Sequence, residues 1–229
     1  MQVKDIIKFF EENKNSENIE GMKKYGIVAD NAYGIKAELL RSIAKQIKKN
    51  HNIAIELWDT NIHEARKLAP IIAVPKELNI ELADKWTFDF NSWDICDSCC
   101  IELFRYSDVA INRISYWAEQ NQEFVRRTAF ALIAATAVKR KQNEYDDFFY
   151  SFFPLIKKYC TDDRNFVRKA VDWAIRQIGK RNQQSCKKTI QLCIEIENEN
   201  PDSKTAKWIT KTAVTELQKK LRVFEQHTD

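Results

Sequence analysis

Apolar residues recur along most of this chain at the three-to-four-residue spacing of amphipathic helices, with short polar stretches between them. Ile6, Phe9 and Phe10 make the stripe of a short first helix that ends in the polar run from Glu11 to Asn18. Residues 25–34 read as a loop leading into a helix over 35–49, where Leu39, Leu40, Ile43, Ala44 and Ile47 fall on one face. Further helices are predicted at 52–58 and 64–74, with Pro75 as a stop, and at 78–86, ending near Trp86. Asn91 or Ser92 suits the N-cap of the next helix, because a short side-chain oxygen there can accept an orphan backbone N–H. The pattern then predicts helices at 108–118, 122–138, 145–160, 164–179, 182–197 and 202–223.

Two of these segments read as copies. Glu123-Phe124-Val125-Arg126-Arg127-Thr128-Ala129 returns 42 residues later as Asn165-Phe166-Val167-Arg168-Lys169-Ala170, with a weaker echo in Lys204-Thr205-Ala206-Lys207-Trp208-Ile209. A period near ~40 with two helices per unit is the signature of a HEAT-like helical repeat solenoid. Such units cannot bury their apolar stripes alone, so they stack, and the stack curves into a concave surface able to bind an extended partner such as DNA. The expected architecture is all-α, a single HEAT-like repeat domain over residues 1–229.

Composition agrees with that pattern. Only 4 Gly and 4 Pro occur in 229 residues, too few for the many turns of a sheet-rich fold. The net charge of +4 is unevenly spread: residues 1–122 hold 16 basic and 19 acidic side chains, residues 123–229 hold 21 and 14. The second half, at +7, is the one that would attract a phosphate backbone. The start of the chain lacks the apolar run of a signal peptide, and no segment approaches the ~20 apolar residues needed to cross a bilayer. An intracellular protein (cytoplasm or nucleoid) with reduced thiols is expected.

Three segments carry a more specific likeness: Trp93-Asp94-Ile95-Cys96-Asp97, Phe124-Val125-Arg126-Arg127-Thr128-Ala129, and Arg168-Lys169-Ala170-Val171-Asp172-Trp173-Ala174-Ile175-Arg176. In order and spacing they resemble the AlkD family, HEAT-like repeat DNA glycosylases that remove cationic N3- and N7-alkylated purines. The resemblance implies that Trp93 and Asp97 are a catalytic Trp-x-x-x-Asp, that Trp173 is a second catalytic tryptophan, and that Arg127 binds a DNA phosphate beside the lesion. It further implies that Arg176 is a basic neighbour in phosphate binding and Tyr25 a possible DNA contact. Ser92 departs from the family, whose members often carry an aromatic just before the catalytic tryptophan. The implied partner is double-stranded DNA with alkylated purines, contacted without a pocket around the base, by a monomer that uses no cofactor and no metal.

The residue types suit that chemistry. Trp93 and Asp97, four apart, share one helical face, and so do Trp173 and Arg176, three apart. A cationic purine leaves without protonation, while the deoxyribose becomes oxocarbenium-like. A carboxylate near C1′ stabilises that charge and can orient water, and indole faces add cation–π attraction. Taken singly, the tryptophans also read as core, as Trp58, Trp86, Trp117 and Trp208 do, and Asp97 as a cap or a surface pair. Arg126 reads as a solvated neighbour, and the runs Lys139-Arg140-Lys141, Lys157-Lys158, Lys180-Arg181 and Lys187-Lys188 read mainly as solvated faces, with phosphate contact as the alternative for some of them. Cys96, Cys99 and Cys100 lack the partner ligands of a zinc site and read as small apolar side chains. A non-catalytic DNA-binding repeat protein and a protein-interaction scaffold are the alternatives to an enzyme.

Overall fold

The computed structural model describes residues 1–226, and among them every regular element is helical. The chain divides into two units, Met1–Ile111 and Asn112 onwards. In the first unit α1 (Val3–Glu12), α2 (Ser16–Lys24), α3 (Ala37–Ile47), α4 (His51–Asp59), α5 (His63–Ile72), α6 (Ile80–Phe88) and α7 (Trp93–Glu102) precede α8 (Asp108–Asn112), which carries the boundary. The second unit holds α9 (Ile114–Glu119), α10 (Glu123–Lys139), α11 (Asp146–Tyr150), α12 (Phe153–Tyr159), α13 (Asn165–Gly179), α14 (Gln183–Glu199) and α15 (Lys204–Gln226).

Two predicted helices are broken. The segment 108–118 becomes α8 and α9, and 145–160 becomes a 3₁₀ turn followed by α11 and α12. The second break falls where Pro154 removes a backbone N–H, so the helix restarts with proline in its first turn, where that donor is not needed.

The first unit is built around paired apolar faces and a pinned loop. Trp58 and Trp86 stack with ring centroids 4.3 Å apart, and Trp58 Nε1 donates to Asp89 at 2.9 Å, so the indole is buried with its polar atom satisfied. The loop after α2 is tied down by one buried carboxylate. Glu64 accepts from the backbone N–H groups of Tyr33 (3.0 Å), Gly34 (2.6 Å) and Ile35 (3.3 Å). Gly34 is required there: its φ is +75°, and a Cβ would lie 2.2 Å from the carbonyl oxygen of Asn15.

In the second unit the two sequence copies stack in register. Helix α10 is apolar nearly all round, as suits a helix packed on several sides, and it lies against α9 and α13. Phe124 packs on Phe166 with centroids 5.3 Å apart, and Glu123 accepts the Phe166 N–H at 3.1 Å. Arg126, expected on a solvated face, is instead half-buried: its guanidinium pairs with Asp162 at 2.8 Å and covers the Tyr159 ring at 4.4 Å. Several basic runs are likewise tied inward. The Arg181 side chain is only 1% exposed, bound by Asp146 and by carbonyls at the end of α10, and Lys157 bridges Glu195 and Glu199. Lone charges would not survive that burial without partners.

Helix α13 meets α15 at Gly179, where a Cβ would lie 2.6 and 2.8 Å from the two methyl carbons of the fully buried Leu217. Gly179→Ala is therefore expected to overpack this contact and to cost about 1–2 kcal/mol. A fall of a few degrees in the midpoint of thermal unfolding checks it; an unchanged midpoint would mean that Leu217 rotates away freely.

Candidate functional site

Helix α7 presents the central candidates. Ser92 is its N-cap residue, but its hydroxyl does not cap the helix. It donates to Asp94 Oδ1 at 2.6 Å. The other Asp94 oxygen receives Lys67 Nζ at 2.9 Å and His63 Nε2 at 3.0 Å, so three side chains converge on one buried carboxylate. His63 and Lys67 are four apart on α5 and therefore project from one face. Burial disfavours the charge on Asp94, but the hydrogen bond and charge of His63, then Lys67 and Ser92, outweigh it and hold the carboxyl well below the usual range. The departure at Ser92 is thus the counterpart of this network: a buried hydroxyl takes the place of an aromatic ring.

Trp93 and Asp97 stand beside this anchor, one turn apart, both half-buried. They line a cleft of about 260 Å³ with Ala37, Leu40, Arg41 and Lys67 across from them. The Trp93 indole N–H donates to the carbonyl of Tyr25 at 3.1 Å, which fixes the ring edge against the end of α2. Tyr25 itself is 75% exposed. The first unit therefore brings together Tyr25, Trp93 and Asp97. It adds His63, Lys67 and Asp94, which were not singled out in the sequence. An Asp in the first turn of α7 and the His-x-x-x-Lys spacing on α5 were visible there, but nothing local joined them.

The remaining candidates lie in the second unit. Arg127 is 5% exposed, and its guanidinium donates to the Phe166 carbonyl at 2.7 Å. With Glu123 it clamps both polar groups of the Phe166 peptide backbone, one repeat holding the next. Trp173 is half-buried on α13. Arg176 pairs with Asp172 and with Glu216, each at 2.8 Å, and Lys180 joins the same Glu216. Desolvation raises the Asp172 carboxyl against the opposing pull of Arg176, whereas Lys180 and Arg176 outweigh burial at Glu216 and lower it. A phosphate could reach Arg176 only in competition with these carboxylates.

Trp208 corrects the sequence reading. It was expected in the core but is 37% exposed, with the Arg168 guanidinium over its ring at 5.0 Å. Cys96, Cys99 and Cys100 are fully buried on α7, and burial pushes the Cys99 and Cys100 thiols well up. Among the described residues no cluster of His, Cys, Asp or Glu is arranged to hold a metal ion, and no helix is long and apolar enough to cross a membrane.

A solved structure described as "A new family of proteins related to the HEAT-like repeat DNA glycosylases with affinity for branched DNA structures" superposes with a TM-score of 0.77. The match covers 86% of this chain and 83% of that one at 18% identity, which establishes a shared HEAT-like helical repeat fold. No curated protein matches the chain. The profile of the DNA alkylation repair enzymes matches residues 6–217, nearly the whole chain and all the helices that carry the candidate residues. With that match and the shared repeat fold, the chain belongs to the DNA alkylation repair enzyme family.

Proposed function

We propose that this protein is a DNA glycosylase that hydrolyses the N-glycosidic bond of cationic alkylated purines of the 3-methyladenine and 7-methylguanine type. The observation that carries the reading is the pairing of Asp97 with Trp93 in one cleft of the first unit. Its neighbour Asp94 is tied down by Ser92, Lys67 and His63 at the start of α7, while Asp97 shares the cleft with the Trp93 ring one turn away. Asp97 would stabilise the positive charge that grows on the deoxyribose as the purine departs, and would orient the attacking water. The Trp93 ring, held by Tyr25, would offer its face to the same charge. In this reading Trp173 is the second indole, and Arg127 and Arg176 meet phosphate by exchanging the protein partners they hold. A single domain acting as a monomer on double-stranded DNA, without cofactor or metal, is part of the same proposal.

A second reading has its own support. The superposed relative is described by its affinity for branched DNA, which would suit a protein that binds DNA structure without excision. Incubation of the full-length protein with duplex DNA carrying 7-methylguanine separates the two. Release of free base above the spontaneous rate is expected; binding without release would leave the non-excising reading in its place.

A further inference from the structure

Several cations in the second unit are matched with acids: Arg126 and Arg164 with Asp162, Arg176 and Lys180 with Glu216, Arg181 with Asp146, Lys157 with Glu195 and Glu199, Lys158 with Glu119. One group without acids lies about an exposed indole, that of Trp208. Lys169, Lys204, Lys207 and Lys211 are exposed and form no ion pair among the described residues. Arg168 has no carboxylate either, only the Asn165 side-chain oxygen at 3.4 Å and the ring of Trp208. Three of these cations adjoin the exposed Trp208: Lys204 and Lys211 flank it one turn either way on α15, and Arg168 comes from α13. Lys207 and Lys211 continue along a groove between α14 and α15, where Glu197 is the one acid and its carboxylate is occupied by Thr210.

The repeat gives this cluster its register. Arg127, Lys169 and Trp208 are each the fifth residue of their helices, α10, α13 and α15, and α13 packs on both of the others. Equivalent positions of stacked repeats fall along one side of the array. With neighbouring helices ~10 Å apart, Trp208 lies about 20 Å along the row from Arg127, where a cation has been replaced by an exposed indole. Uncompensated positive charge suits a phosphate backbone, and a large exposed aromatic among those charges suits the face of a nucleobase. Bases within a duplex are already stacked on each other, so the indole can serve only unpaired ones.

We infer that Trp208, with Arg168, Lys169, Lys204, Lys207 and Lys211, forms a binding surface for single-stranded DNA in which the indole stacks on an unpaired base. The surface works independently of base excision. The test is the affinity of the full-length protein for an oligothymidylate and for a blunt duplex of equal charge, read by fluorescence anisotropy at low salt. Trp208→Ala should weaken oligothymidylate binding about tenfold, within the range of one base–aromatic stack, and leave duplex binding and release of 7-methylguanine within about twofold of wild type. Trp208→Phe should retain most of the single-strand affinity, whereas Trp208→Leu, which keeps apolar bulk without a π face, should lose it. Replacing Lys204, Lys207 and Lys211 together by Ala should flatten the salt dependence of single-strand binding by about 2 in the log–log slope. Circular dichroism confirms that each variant is folded. Equal single-strand affinity of Trp208→Leu and wild type, equal losses on duplex and single strand, or no oligothymidylate binding by wild type would each overturn the inference.

Discussion

Replacement of Asp97 by Asn is expected to slow release of 7-methylguanine by about 100-fold or more while DNA affinity stays the same or rises slightly. The two side chains have nearly the same shape, so the substitution removes charge and little else. An ionised carboxylate beside a sugar that turns cationic is an interaction made in the transition state and not in the ground state, and such interactions appear in the rate rather than in binding. A 100-fold loss corresponds to about 2.7 kcal/mol, an ordinary value for one electrostatic contact in a partly desolvated site. Asp97 also carries negative charge towards a polyanion, so its removal cannot weaken DNA binding by electrostatics. The measurement is single-turnover base release alongside an equilibrium titration. Release within a few-fold of wild type would remove Asp97 from the chemistry, and parallel losses in rate and affinity would make it a binding residue instead.

The second large effect concerns stability. Asp94→Ala deletes the acceptor shared by Ser92, His63 and Lys67 and leaves a buried hydroxyl and a buried imidazole without their partner. Breaking such a buried arrangement from one side is strongly unfavourable, and with Lys67 able to turn to water the expected cost is about 2–4 kcal/mol. The midpoint of thermal unfolding should fall by ~5–10 °C. Because the network anchors the first turn of α7, base release should also fall although Asp97 is intact. The pH dependence identifies the mechanism. The folded-state pKa of Asp94 is depressed, so the stabilisation it provides is complete above its unfolded value near ~4 and is lost as pH drops through the folded value. The gap in thermal midpoint between wild type and Asp94→Asn should therefore close as pH falls below about 4. A gap that persists unchanged into strong acid would show that shape, not charge, made the difference.

The contrast between Asp97 and Asp94 shows how far the sequence could be read. Both acids stand in the same short motif, and the sequence favoured Asp97 on its resemblance and its helical spacing from Trp93. What separates them is position in the tertiary structure: both line the cleft, but Asp94 is buried and bound by Ser92, His63 and Lys67, while Asp97 is half-buried beside Trp93. Two of the three partners of Asp94, His63 and Lys67, lie 31 and 27 residues away, beyond any local pattern. Trp208 is the converse case. Its apolar character suggested the core, yet its register on α15 leaves the ring at the surface beside Arg168.

From the amino-acid order alone followed the all-helical class, most helix positions, the fold family and the copy relation that stacks Phe124 on Phe166. These depend on which face of a helix is apolar and on short-range repetition, and both are written in consecutive residues. The tertiary structure alone decided the fate of the charges. Arg126 and Arg181 became internal ties, Arg127 turned onto a backbone carbonyl, Arg176 met Asp172 and Glu216, and the lysines around Trp208 remained unmatched. The physical reason is that an ion pair is made across space by long, flexible side chains from separate helices, so its partners are set by packing and not by spacing along the chain.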